Sequence, residues 1–272
     1  MRSVRMSAAR RLVAGLRVTV VGGALSYRAL ITFLSPPLFF VMMIASPFFQ
    51  IVTFSLLGRY SGAQDPDFYV VGTAIQASAM AGIYGASQAV ANERAFGTLA
   101  HLLITPAGRF WIMLGRLIPT SLNGILVAVL GVFAGWAFLG LSLTPSILLP
   151  IGVAAVCAST SCAGLGLIIG ALGLRFRDMY FVTNAAHLVL LIATGAAIPL
   201  TLLPGWVQGM SQVIPMAHAI AMAQDAVAGR PYSPMQSAGA ELILAAVYFG
   251  VALVVLARSE RLSRRLGTLE LV

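Results

Sequence analysis

The chain has 272 residues, of which 59% are hydrophobic and only 9% are charged, and its mean hydropathy is +0.94. Soluble globular proteins carry about 25% charged residues, so this composition lacks the polar surface that a water-soluble fold requires and excludes that class. All 17 basic residues are arginine, and because a phosphate-binding loop of the G-x-x-x-x-G-K-[ST] type requires its lysine, the sequence also excludes an ATPase or GTPase centre of that type.

The first 28 residues are basic and contain a broken pattern of apolar residues. This pattern predicts an amphipathic helix that lies in the headgroup layer of a membrane. A cleaved signal peptide is the alternative interpretation, although its apolar core would be short, at residues 18–25, and a membrane span follows almost directly. We therefore predict an N-terminal interfacial helix at residues 1–28 and a transmembrane domain at residues 29–272.

Long runs without charged residues predict an all-α, polytopic membrane protein. A helix needs about 20 apolar residues to cross about 30 Å of hydrocarbon. The charge-free runs, with the last one extended through Glu241, predict six spans at about residues 30–57, 68–91, 117–139, 147–173, 179–201 and 237–257. Helix breakers cluster between Gly140 and Pro145, which places the turn between the third and fourth spans.

The positions of the arginines predict the orientation of the chain. With six spans, fifteen arginines lie on one side and only Arg59 and Arg230 lie on the other. The positive-inside rule then places both termini in the cytoplasm. A seventh span would put the C-terminal arginines outside, so residues 203–222, punctuated by Pro204 and Pro215, are predicted to form an outer re-entrant element that does not cross the membrane. The basic charge is assigned to orientation and lipid contact, and no nucleic-acid partner is expected.

Signatures of an enzyme or metal site are missing from the sequence. It contains no H-E-x-x-H motif, and the three histidines, His101, His187 and His218, fall in different segments. Ser87 lacks the following glycine of a nucleophile elbow. We expect no catalytic residue, no metal and no cofactor in this chain.

Small residues in the fourth predicted span point to packing. Cys157 and Cys162 lie five residues apart in an apolar run and are predicted to be small buried side chains. Close helix contact is predicted at four glycines of this span, Gly164, Gly166, Gly170 and Gly173.

Few polar side chains lie within the predicted spans, and each is a candidate for lining a cargo path. The candidates, together with a methionine of the first span, are Met42, Gln76, Gln88, Asn184 and His187. A hydrogen bond between helices is the alternative for Asn184 and His187. Glu241, near the outer start of the last span, is predicted to reach water by snorkelling or to pair with Arg230.

The segment between the second and third predicted spans is too charged to cross the membrane. Leu99, Leu102, Leu103 and Pro106 fall on one stripe at steps of three and four residues. This spacing predicts a short amphipathic helix on the inner side, which ends at Pro106 and Gly108.

The same segment resembles the inner loop of the permease subunits of type 2 ATP-binding-cassette exporters. The family pattern is close to E-x-x-x-G-T-L-E-x-L-L-x-T-P, followed a few residues later by Gly-Arg. The matching residues are Glu93, Gly97, Thr98, Leu99, Leu102, Leu103, Thr105, Pro106, Gly115 and Arg116. Ala100 stands where the family commonly has glutamate. Residues 173–178 are similar to the family's second inner loop, and residues 199–215 are similar to its outer re-entrant segment.

The resemblance implies a six-span half-transporter in the inner cell membrane. It would pair with a second permease subunit, identical or related, and with a cytoplasmic ATPase that binds ATP and magnesium. The residues expected to couple to that ATPase are Glu93, Arg94, Gly97, Thr98, Leu99, Leu102, Leu103 and Pro106.

The expected function is efflux of an amphipathic drug, antibiotic or small metabolite, as in antibiotic resistance. Export of lipid-linked polysaccharide or lipid is the alternative within the same class. A secondary transporter or channel is less favoured, because the sequence offers neither coupling-ion carboxylates nor a polar pore lining at mid-membrane.

Overall fold

The computed structural model describes the backbone of residues 8–33, 41, 45–62, 65–95, 109–172 and 179–266. Its regular elements in these ranges are all helical, which confirms the all-α prediction there. The helices are α1 (Ala8–Phe33), α2 (Ser46–Ser61), α3 (Pro66–Ala95), α4 (Arg109–Leu139), α5 (Pro145–Leu172), α6 (Met179–Ala193), α7 (Gly205–Ser211), α8 (Ala217–Val227) and α9 (Pro234–Leu266), with a short 3-10 helix at Leu200–Leu202.

Three helices contain stretches that are long and apolar enough to cross a membrane. They are Phe110–Leu139 in α4, Pro145–Leu172 in α5 and Pro234–Ser259 in α9. Two shorter apolar stretches, Val13–Leu25 and Met179–Ala193, lie in α1 and α6. These elements are those of a polytopic helical membrane protein.

The helix bounds at the first and fifth predicted spans differ from those expected. Helix α1 continues past residue 28 to Phe33, and a separate helix, α2, begins at Ser46. Helix α6 ends at Ala193, where the chain turns toward Pro199. Proline has no amide hydrogen to continue a helix, and its ring restricts the residue before it, which accounts for the turn that precedes the 3-10 helix.

The turn between α4 and α5 lies where the helix breakers predict it. Gly140 has φ 77°, a left-handed conformation that glycine adopts without steric penalty. The Ser142 hydroxyl donates a hydrogen bond to Asp67 Oδ2 at 3.3 Å, so the start of α3 lies beside this turn. Arg59, near the end of α2, donates to the carbonyl of Leu139 at the end of α4. We call this end of the domain the upper end and the opposite end the lower end.

Helix α3 is the central helix and packs against α4 and α5. All of its residues from Phe68 to Met80 are buried. Two glycines allow the close approach, since a Cβ atom at Gly82 would overlap the carbonyl of Ser159 in α5, and one at Gly85 would overlap Thr120 in α4. Close backbone approach at small residues is a main source of helix association where lipid replaces water.

The predicted packing role of the glycines in α5 is confirmed. A Cβ atom at Gly166 or Gly170 would press against the backbone of α3, and one at Gly164 would press against α9. Gly173 lies outside the described residues. Cys157 and Cys162 are buried, as predicted for small side chains in a packed helix.

The contacts between helices define a level halfway between the two ends. Gly82 of α3 and Gly124 of α4 both lie against Ser159 of α5. Each of these residues is near the middle of its own helix by residue number. The layer around Ser159 is therefore the mid-depth of the domain, and we call it the mid-depth layer.

Helix α1 packs on the lower part of α4 through small residues. Gly15, Thr19 and Gly23 face α4, and the Thr19 hydroxyl donates to the carbonyl of Trp111 at 3.0 Å. The apolar side chains of α1 point elsewhere, and Val13 is 67% exposed. The side of α1 that faces the protein is thus formed by small residues rather than by large apolar residues.

Candidate transport site

The predicted coupling segment connects the end of α3 to the start of α4. The backbone of Glu93 and Arg94 forms part of the last turn of α3. The remaining coupling candidates lie outside the described residues, and they are Gly97, Thr98, Leu99, Leu102, Leu103 and Pro106. The cargo-path candidate Met42 also lies outside them. Because α3 and α4 pack against each other, the segment joins the lower ends of two packed helices.

Gln76 is fully buried on α3 and pairs with a residue that sequence reasoning missed. Gln50 of α2 donates through Nε2 to Gln76 Oε1 at 3.2 Å. The Nε2 atom of Gln76 has no hydrogen-bond partner among the described residues. The position of Gln50 next to an aromatic and proline-rich stretch gave no periodic signal that could have paired it with Gln76.

Asn184 of α6 makes the hydrogen bond between helices that was its alternative interpretation. The Tyr84 hydroxyl of α3 donates to Asn184 Oδ1 at 2.6 Å, and Asn184 Nδ2 donates to the carbonyl of Tyr180 at 2.9 Å. The preceding residue, Thr183, lies 3.5 Å from Ser87, oxygen to oxygen, across the same contact. Tyr84 could have been found from the sequence, because it lies one helical turn before Gln88 on the same face.

His187 lies about one turn beyond Asn184 and is half-buried. Its Nδ1 atom is buried without a hydrogen-bond partner among the described residues. Gln88 is half-buried on α3. The α3–α6 contact thus gathers Tyr84 and Asn184, whereas Gln76 lies two turns away, about 12 Å along α3, and contacts α2 instead.

The prediction for Glu241 is wrong. Glu241 is 0% exposed, and its side chain points toward α5 rather than toward water. The Ser161 hydroxyl donates a short hydrogen bond to Oε1, and the amide of Met216 donates to the same oxygen at 2.6 Å. Arg230 pairs instead with Asp225, at 3.6 Å. Because α9 begins at Pro234, Glu241 lies two turns inside the helix, too deep for its short side chain to reach the surface.

The ion pair of Asp225 and Arg230 is only partly shielded from solvent. Burial raises the pKa of Asp225 above its ordinary value, and the charge of Arg230 acts in the opposite direction. Both side chains are partly exposed, so their attraction is screened. The fully buried carboxylate of Glu241 therefore matters more to the structure of this region than the Asp225–Arg230 pair does.

Comparison with known proteins defines the class of this protein. Residues 22–227 match the model of the family described as ABC-2 type transporter. This match covers most of the chain, so the chain belongs to the ABC-2 type transporter family. It is also 26% identical, over 181 residues, to nodulation protein J of Rhizobium meliloti (strain 1021), across 65% of this chain and 67% of that protein.

The protein is a membrane transport component of an ATP-binding-cassette transporter. Its family lacks a catalytic site of its own and normally works with a cytoplasmic ATPase. The resemblance of residues 93–106 and the family match point to the same class. The absence of lysine is consistent with this class, because a phosphate-binding loop of the G-x-x-x-x-G-K-[ST] type requires a lysine.

Proposed function

We propose that this chain is the permease subunit of an exporter that moves an amphipathic drug, antibiotic or small metabolite out of the cell. The energy comes from a separate ATPase subunit, and a second permease subunit completes the path. The observation that carries the proposal is family membership across residues 22–227 in a chain that has no lysine for a phosphate-binding loop.

The directions of the helices support six spans with both ends of the chain in the cytoplasm. Helices α2 and α4 both end at the upper end, since Arg59 and Leu139 meet there. Helix α3 begins at the upper end, where Asp67 meets Ser142, and so runs the opposite way. Helix α5 runs parallel to α3, because Ser159 lies against Gly82 and Gly170 lies against Val90. Helix α9 runs parallel to α5, because Glu241 contacts Ser161 and Tyr248 lies against Gly164. This alternation is what six spans require, and the arginine distribution makes the upper end the outside.

The α7–α8 segment supports the same count because it begins and ends at the upper end. Helix α6 rises from the level of Ser87 to that of Gly72, beside Ala196, and α9 descends from Pro234. The chain between α6 and α9 must therefore begin and finish at the upper end without crossing the domain. At the top of α8, Val227 joins Asp65 of the neighbouring segment in lining a cavity of about 230 Å³.

The surface of α6 supports an amphipathic cargo. Asn184 is exposed and lies between large exposed apolar side chains, with Phe181 72% and Leu188 60% exposed. A few polar groups set in an apolar surface are typical of sites that bind amphipathic small molecules. His187, about one turn along, is half-buried and adds an imidazole to this side of α6.

Transport in inside-out membrane vesicles tests the proposal. The chain is co-expressed with its ATPase, and uptake of a panel of fluorescent amphipathic drugs is compared with uptake of a lipid-linked oligosaccharide. We expect ATP-dependent accumulation of amphipathic drugs, and none when the phosphate-loop lysine of the ATPase is replaced. Accumulation of the oligosaccharide alone would select the alternative cargo class, and uptake without ATP would contradict an ATP-driven exporter.

The coupling segment is tested by replacing Leu99 and Leu102 together with Asp. Each leucine buried in an ATPase groove would contribute about 1.5 to 3 kcal/mol, so two buried charges are expected to abolish association with the ATPase. The control is Leu242→Asn in the exposed face of α9, which is expected to leave association unchanged. Normal ATPase capture by the double variant would show that residues 93–106 are an ordinary loop.

A further inference from the structure

Helix α8 begins deep inside the domain and has no cap of its own. Its N-cap residue, Met216, makes no side-chain capping hydrogen bond. The first amide groups of any helix have no partner within the helix. Where lipid and protein exclude water, such groups must be satisfied by the protein itself.

Met216 also has an unfavourable backbone conformation. Its φ is 68°, and it is the one non-glycine residue with positive φ in the part of the chain that the structure describes. A residue with a bulky side chain stays in this region only when its surroundings hold it there. Some contact must therefore fix the α7–α8 turn in place.

Glu241 supplies that contact from α9. Its Oε1 accepts a hydrogen bond from the Met216 amide at 2.6 Å. The Ser161 hydroxyl of α5 donates to the same oxygen and orients it. Oε2 has no partner among the described residues, so the contact depends on a single acceptor oxygen.

The position of this contact is the mid-depth layer. Ser161 lies two residues after Ser159, which faces Gly82 and Gly124 at the middle of α3 and α4. A second hydrogen bond from α9 holds the same turn, because the Tyr248 hydroxyl donates to the carbonyl of Val213 at 3.0 Å. The turn at residues 212–216 is thus fixed to α9 at two points.

We propose that Glu241 is a positioning residue that caps α8 from the neighbouring helix and holds the α7–α8 turn at mid-depth, which keeps the upper side of the domain closed. The capping role follows from the contacts of Glu241 alone. Its consequence for transport, closure of the outer side between cycles, rests on the proposed function.

Thiol accessibility tests the capping role without any cargo. Ala217, 4% exposed at the start of α8, is replaced by Cys in a full-length chain in which Cys157 and Cys162 are Ala. A membrane-impermeant maleimide is added to whole cells that carry the transporter complex, and the rate of labelling is measured. We expect almost no labelling with Glu241 present and labelling about tenfold faster or more with Glu241→Ala.

Conservative and control variants separate capping from general damage. Glu241→Gln keeps the acceptor oxygen and the side-chain volume, so its labelling rate should stay within about twofold of the parent. Gln236→Ala, at an exposed position five residues earlier on α9, should have no effect. Unchanged protection in Glu241→Ala, or equal exposure in Glu241→Gln and Glu241→Ala, would overturn the proposal.

Ser161→Ala keeps the proposal testable if Glu241→Ala does not accumulate. It removes only the donor that orients the carboxylate, and we expect labelling two- to fivefold faster than in the parent; no change would count against the proposal. Transport is then measured with the same variants. Failure of the parent chain to export any amphipathic drug would contradict the proposed function, while the labelling rates would still decide the role of Glu241.

Discussion

The domain holds its helices together in two different ways. Helices α3 and α5 meet through glycines, with Gly82 against Ser159 and Gly166 against Ile83. Helix α8 is held by a buried carboxylate, Glu241. The difference has a physical reason, because α3 and α5 run the full depth of the domain and satisfy their own backbone groups, whereas α8 begins at mid-depth and needs an acceptor from elsewhere.

A larger side chain at the glycine contact should have the largest effect. In Gly82→Leu the new side chain meets the Ser159 carbonyl, which is backbone and cannot turn aside. We expect a loss of stability of about 3 kcal/mol or more, or no folded protein. Gly152→Leu on α5 is the matched control, because open space surrounds that glycine. Thermal unfolding followed by size-exclusion chromatography in detergent measures both, and equal losses would show that close packing is not what Gly82 provides.

Replacing Glu241 or Gln76, both fully buried, by leucine should separate the two regions. Glu241→Leu leaves the Met216 amide without an acceptor, and a buried unsatisfied donor costs about 1 to 3 kcal/mol. Gln76→Leu removes an amide from a helix whose backbone does not depend on it, so we expect a change within about 1 kcal/mol. Thermal unfolding of both variants in one detergent gives the comparison. An equal loss of stability in both variants would contradict a specific contribution of Glu241 to the stability of α8.

The smallest effect is expected at the surface contact between α3 and α6. Tyr84→Phe removes one hydrogen bond to Asn184, whose side chain is exposed, so stability should fall by less than about 1 kcal/mol. His187→Leu should likewise leave assembly intact. Both variants should change the preference among amphipathic drugs in vesicle transport if this contact touches cargo. Unchanged transport of every drug tested would return Asn184 and His187 to a structural role.

Part of the fold could be predicted because its signals are local. The turn from Gly140 to Pro145 combines a glycine with positive φ and a proline at the start of a helix, and both act within a few residues. The glycines of α5 were also predictable, since small residues in an apolar helix have few other uses. The Asn184 contact was foreseen as a hydrogen bond, but its partner, Tyr84, is 100 residues away in sequence.

Which face of a helix meets the protein was not predictable in the same way. The apolar pattern of α1 predicts a lipid-facing stripe, yet it does not say that Gly15 and Thr19 form the opposite, protein-facing side. In a membrane protein, lipid and protein interior are both apolar, so hydropathy does not distinguish them. The packing of α1 on α4 depends on shape.

The sequence by itself determined that the chain is helical, lies in a membrane, has no lysine for a phosphate-binding loop and belongs with the permeases of the ABC-2 type transporter family. Composition, charge and a short motif carry that information without reference to contacts. Only the tertiary structure decided the role of Glu241, which the sequence placed near water. A carboxylate can be buried when donors surround it, and its donors, Ser161 and Met216, lie 80 and 25 residues away along the chain.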